Sequence, residues 1–217
     1  MKIKTAYGLL IVVLGWFGLA LQFYILLAND KSGVSFWNRF FNFFSYFTIL
    51  TNILVAASLT HTLLKSKSPI GVFFTKPETQ TATAMYILIV GIVYVSVLQG
   101  LWKPEGMQWL ADMILHYAIP VLFVIYWLAF VSKGQTTWKH CLLWLLYPAL
   151  YFAYSIVRGS FTGWYPYPFL NVKQNGFNST LFNAAVLMGV FVVAGIVFIS
   201  LDKLLARTKI AVERAKY

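Results

Sequence analysis

The chain has 217 residues, 60% of them hydrophobic and 11% charged, with a formal net charge of +11. Soluble domains carry about 25% charged residues, so an ordinary water-soluble domain is excluded, and the length allows one helical bundle with no separate soluble domain. The basic residues lie between and beyond the apolar runs instead of clustering into a patch. That excludes nucleic acid as a partner and points to orientation signals and contacts with anionic lipid headgroups.

A helix that crosses a bilayer needs roughly 20 mostly apolar residues. The first segment that meets this is 5–28. Lys2 and Lys4 precede it as in a secretory signal, but its apolar run is too long for one and no small-residue cleavage site follows, so a retained helix is expected. The second, 40–64, is the least uniform, because Asn42, Ser45, Thr48, Thr51 and Asn52 interrupt its first half. The third and fourth are 81–101 and 109–131. The fifth, 140–157, is shortened by Pro148, which kinks a helix by removing a donor. A long connection over 158–180, rich in Gly, Pro, Tyr and Asn, leads to the sixth, 181–205. The expectation is an all-α polytopic membrane protein whose residues 1–217 form a single six-helix transmembrane domain. Cys141 is the only cysteine, so no internal disulfide forms.

Orientation follows from the basic residues. Twelve of the seventeen Lys and Arg flank the side that holds both termini, and five flank the other. The positive-inside bias places both termini in the cytoplasm of a cell membrane, with Trp37, Trp102, Trp109 and Trp164 at the outer boundary. The basic tail (Lys203, Arg207, Lys209, Arg214, Lys216) is expected on the anionic inner leaflet.

Ionisable groups at membrane depth are expensive, and so mark candidate sites. His61 and His140 lie near inner helix ends, whereas His116 lies seven residues inside Trp109, about 10 Å deep at 1.5 Å per residue. Asp112 stands four residues before it, the spacing that puts two side chains on one helical face. A carboxylate there fixes an imidazole tautomer and stabilises an imidazolium. In the plainer alternative, Asp112 pairs with Arg158 and His116 only packs. On the second helix Thr48 lies about 13 Å inside Arg39, at a depth comparable with His116. A threonine hydroxyl becomes a nucleophile when a neutral histidine takes its proton, and Asn52, one turn further in, offers an oxyanion donor. The plainer alternative for Thr48 is a bond to its own helix backbone, and Thr51 is a rival nucleophile. Asp112 and His116 supply two metal ligands where zinc needs three or more, and only one histidine is deep where haem needs facing ligands, so no metal or cofactor is expected.

Three short motifs occur in order: Tyr46-Phe47-Thr48 in the second segment, Leu115-His116 followed by Pro120 in the fourth, and Gly163-Trp164-Tyr165-Pro166-Tyr167-Pro168-Phe169-Leu170 before the sixth. In this arrangement the chain resembles the family of the androgen-induced protein and the androgen-dependent TFPI-regulating protein, and looks like a bacterial branch of it. The resemblance runs from the second helix to the sixth. It implies an intramembrane threonine hydrolase of fatty acid esters of hydroxy fatty acids, with Thr48 as nucleophile and His116 as base. It also implies that Tyr167, Pro168 and Phe169 shape the outer wall of the substrate pocket. The residues after Thr48, Ile-Leu-Thr-Asn, depart from the polar pattern expected of the animal proteins, which bears on the substrate class. The rival class is a non-enzymatic membrane protein, a lipid-binding module or small-solute transporter, in which Asp112, His116 and Arg158 form a proton-linked or structural network.

Overall fold

The computed structural model describes residues 2–28 and 33–214, with side chains through residue 208. Lys31 and Lys216, counted above for orientation, lie outside the described residues, as do the side chains of Lys209 and Arg214. Among the described residues all regular structure is helical, and six helices are long and apolar enough to cross a membrane. The chain is a multi-pass membrane protein. It divides into two compact units, Met1–Val131 and Ser132–Tyr217.

The first unit contains α1 (Lys2–Ala28), α2 (Phe36–Phe43), α3 (Phe47–Leu64), α4 (Pro69–Thr75), α5 (Pro77–Leu101) and α6 (Gly106–Phe130), of which α2 and α4 are too short to span. Lipid tails are as apolar as leucine, so helices associate through close packing that small residues permit. On α1 the buried residues are Gly8, Ile11, Gly15, Gly18 and Leu19, one narrow stripe with half-buried residues beside it. A Cβ added at Gly18 would lie 2.7 Å from Ile114 Cγ2 of α6, and one at Gly15 would lie 3.5 Å from Ala56 Cβ of α3. The α1–α6 register is antiparallel. Lys4 Nζ donates to the Phe130 carbonyl at 3.1 Å, where a cation also meets the negative end of α6. At the far end Gln22 and Gln108 exchange amide hydrogen bonds of 3.4 and 2.8 Å.

The centre of this unit is α5, on which every residue from Gln80 to Ile87 is buried. Its buried polar groups are satisfied within the protein, as they must be where no water reaches: Thr83 Oγ1 bonds the Thr79 carbonyl of its own helix at 2.9 Å, and others bond across helices. Trp127 Nε1 donates to Thr81 Oγ1 at 2.9 Å, and Gln80 Nε2 to Ser58 Oγ at 3.3 Å and Thr62 Oγ1 at 3.0 Å.

Two expected spans differ in form. The segment 40–64 is not one helix. Ser45 Oγ donates to the Phe41 carbonyl at 2.6 Å, the amides of Ser45 and Tyr46 bond three residues back, and the chain turns between α2 and α3. A depth for Thr48 counted from Arg39 along one axis therefore does not hold, because the two residues stand on different helices. The fifth span is kinked but not shortened. It covers Trp138–Thr162 and breaks at Leu145, beside the carbonyl that Pro148 leaves without a donor.

The second unit contains that span, α7 (Trp138–Thr162), and the long α8 (Phe177–Arg214). Between them Gly163 closes α7 in the left-handed conformation (φ 71°), and single helical turns occur at Pro168–Leu170 and Val172–Asn175. The two helices run antiparallel, as shown by Asn183 Nδ2 bonding the Phe169 carbonyl at 3.0 Å. At the opposite end Asp202 Oδ2 accepts from Thr136 N at 3.1 Å and Thr136 Oγ1 at 2.7 Å.

Candidate functional site

Helix α6 is not regular where it carries His116. Pro120 has no amide hydrogen and its ring crowds the carbonyl four residues earlier, that of His116. The helix accommodates this by widening to a π-turn over Ile114–Ala118, in which the Ile119 amide bonds to Ile114. The Leu115 carbonyl then has no donor in its own helix. Ile119 is committed elsewhere, and the residue five ahead is Pro120. Asn52 supplies the missing donor. Its Nδ2 gives one hydrogen to the Leu115 carbonyl at 3.2 Å and the other to the Thr48 carbonyl at 2.9 Å. This fully buried amide therefore ties the first turn of α3 to the π-turn of α6. Wide turns of this kind recur at functional sites.

Both of Asn52's amide hydrogens are engaged by backbone carbonyls, so its part in the resting site is to join the two helices. Thr48 is buried, 7% exposed, in the first turn of α3, and Thr51 is fully buried. Thr51 precedes Asn52 by one residue and so points about 100° away from the face that meets α6, whereas Thr48 lies one turn back on nearly the same face. Tyr46 makes no side-chain cap at this helix start, so the positive end of the α3 dipole stands beside Thr48. Leu19, Phe43, Ile49, Ala56 and Leu115 pack together around the junction.

Asp112 is 3% exposed. Its Oδ1 lies 3.1 Å from His116 Nδ1, an ion-pair distance, but the angle falls outside a hydrogen bond for both atoms. His116 Nε2 makes no hydrogen bond with the described residues. The other carboxylate oxygen, Oδ2, accepts the Tyr94 hydroxyl at 2.6 Å. The Tyr94 ring lies flat on the imidazole, with centroids 3.9 Å apart and planes 17° apart.

Sequence reasoning missed Tyr94. Its signal was available in one respect: a tyrosine buried in a span needs a partner for its hydroxyl, and Asp112 is the only acid in the α6 segment. The partners of Asp112 are thus Tyr94 and His116. No group of three potential metal ligands occurs among the described residues.

The other expected site residues belong to the second unit. Arg158 holds its guanidinium over the Trp164 ring, 4.9 Å from the centroid, and a Cβ at Gly159 would fall inside the Tyr165 ring. Tyr167 and Phe169 stack with centroids 5.2 Å apart, and the Pro168 carbonyl accepts from Asn175 Nδ2 at 2.7 Å. These contacts give the 163–175 segment a fixed shape. No protein-family model matches the chain, and neither a curated protein nor a solved structure does.

Proposed function

We propose that the first unit is an intramembrane hydrolase that cleaves a fatty acyl ester, with Thr48 as nucleophile and His116 as base. One observation carries the reading. The deep histidine turns Nδ1 to a buried carboxylate, leaves Nε2 without a hydrogen bond, and sits on a π-turn that Asn52 joins to the first turn of α3, where Thr48 lies. The chemistry needs a base oriented by a third group within reach of a hydroxyl; Asp112 supports the first part, and the Asn52 link between the two turns supports the second. The ester enters from the lipid. His116 Nε2 takes the Thr48 proton, Oγ1 bonds the carbonyl carbon, and the alcohol leaves with the proton from His116. A water molecule, deprotonated by the same nitrogen, then releases the fatty acid and returns the hydroxyl. Nucleophile and base follow the resemblance given above, as do a cell-membrane location and a bacterial source. The protein is proposed to sit with both termini in the cytoplasm.

The experiment is labelling of detergent-solubilised protein with a fluorophosphonate probe, which bonds activated hydroxyls. The wild type labels, Thr48→Ala does not, and His116→Ala labels about 10²–10⁴-fold more slowly. Labelling that is absent, or that survives Thr48→Ala, removes the hydrolase reading. A second reading, a proton-linked network without catalysis, is favoured by the short Tyr94–Asp112 bond, which satisfies the carboxylate in the absence of any substrate.

A further inference from the structure

Two side chains at the site have a torsion that rotamer wells leave loose. The terminal torsions of Asp and His are broad and nearly two-fold, so neither backbone nor χ1 decides which carboxylate oxygen or ring nitrogen faces the other. In this protein both torsions are restrained by a single neighbour from another helix.

The Tyr94 hydroxyl donates to Asp112 Oδ2 at 2.6 Å, at the short end of the range for O–H···O bonds. With Oδ2 held, Oδ1 is the oxygen left to face His116 Nδ1, 3.1 Å away. The flat face of the Tyr94 ring against the imidazole then opposes rotation of the histidine ring. Tyr117 backs Tyr94 edge-on, with centroids 5.5 Å apart and planes 78° apart. The approach that allows this depends on Gly91, one turn before Tyr94. A Cβ there would lie 3.2 Å from Pro120 Cβ and 3.3 Å from the His116 carbonyl oxygen. Tyr94 itself opens a π-turn, Tyr94–Leu98, so the stacked rings come from two widened turns on facing helices.

We propose that Tyr94 is the positioning residue of the Asp112–His116 pair. Its hydroxyl holds the carboxylate and its ring holds the imidazole plane, so that His116 is the Nδ1–H tautomer and presents Nε2 as its proton acceptor. This assignment goes beyond the hydrolase reading, because it applies whatever group donates the proton.

The test is ¹⁵N NMR of protein labelled at histidine and reconstituted in lipid nanodiscs, with His116→Gln identifying the His116 signals. Ring nitrogen shifts separate the two neutral tautomers. The wild type shows the Nδ1–H form alone at a pH where the ring is neutral. Tyr94→Phe, which keeps the stack and loses the hydroxyl, shows both tautomers in a protein that melts within a few degrees of wild type. Tyr94→Gln, which keeps a donor and loses the ring, retains the tautomer but broadens the signals through ring motion. An Nε2–H or mixed signal in the wild type overturns the assignment, and so does a Tyr94→Phe spectrum identical to wild type. Should Tyr94→Phe fail to fold, the wild-type and Tyr94→Gln spectra decide. Fluorophosphonate labelling is scored separately: its failure in a protein with the Nδ1–H form removes the hydrolase and leaves the positioning role intact.

Discussion

Lys133 follows α6 by three residues, outside the spans and partly buried. Burial pushes its ammonium down from 10.5 to about 8, against the opposing pull of the Asp202 carboxylate. Below about pH 8 both folded and unfolded chains carry the proton, and the folded state bears the whole cost of the buried charge. Between about 8 and 10.5 only the unfolded chain keeps it, so stability rises with pH, and above that window the cost is gone. Lys133→Met is therefore expected to raise the melting temperature of the detergent-solubilised protein at pH 7, with the advantage shrinking toward pH 10. A difference that stays constant across that range would show that burial of this charge is not its source. At this same scale the sequence disclosed Asp112 and His116 because a four-residue spacing is local and helical geometry does the rest. It did not disclose Tyr94, which lies 18 residues before Asp112 on a different helix. That contact comes from the close approach of α5 to α6, where a Cβ at Gly91 would lie 3.2 Å from Pro120 Cβ.

Among the elements, the irregular turns carry most of the consequence. Pro120 removes a donor, the π-turn displaces another, and Asn52 supplies one from α3 to the Leu115 carbonyl. Asn52→Leu strands the Leu115 carbonyl and is expected to cost about 1–3 kcal/mol. Pro120→Ala, which returns an amide hydrogen to α6, lowers that cost when the two changes are combined. A double-mutant cycle on thermal or denaturant unfolding reads the coupling directly, and additive effects would break the proposed link. Pro148 was legible as a kink because a proline's missing donor acts four residues away in its own helix, and the break at Leu145 follows. The turn at 44–46 was not legible as a break. Hydropathy averages over it, and the Ser45 back-bond to Phe41, with the amides of Ser45 and Tyr46 bonded three residues back, marks the division into two helices. That division puts Thr48 in the first turn of α3 instead of midway along a longer span.

For the molecule as a whole, the hydropathy pattern sufficed for the six spans because a bilayer demands length and apolarity, and little else satisfies it. Side of the membrane is a separate matter, and the helix registers of the first unit make it testable. Lys4 meets the Phe130 carbonyl, Gly8 faces Leu63 and Tyr126, and Trp127 bonds Thr81. The N-terminus, the α3–α5 connection and the end of α6 therefore share one end, which carries Lys2, Lys4, Lys65, Lys67 and Lys76. The described basic residues of the opposite end, between α1 and α3 and between α5 and α6, are Arg39 and Lys103. This imbalance predicts the first end in the cytoplasm. Because Cys141 is the only cysteine, Cys141→Ser gives a background in which one introduced thiol reports its own side. With a membrane-impermeant maleimide on intact cells, Lys103→Cys labels at once and Lys67→Cys labels only after permeabilisation. The reverse pattern would invert the protein. It would also move the opening of α3, with Thr48 in its first turn, to the cytoplasmic half of the bilayer, and an ester substrate would then have to come from the inner leaflet.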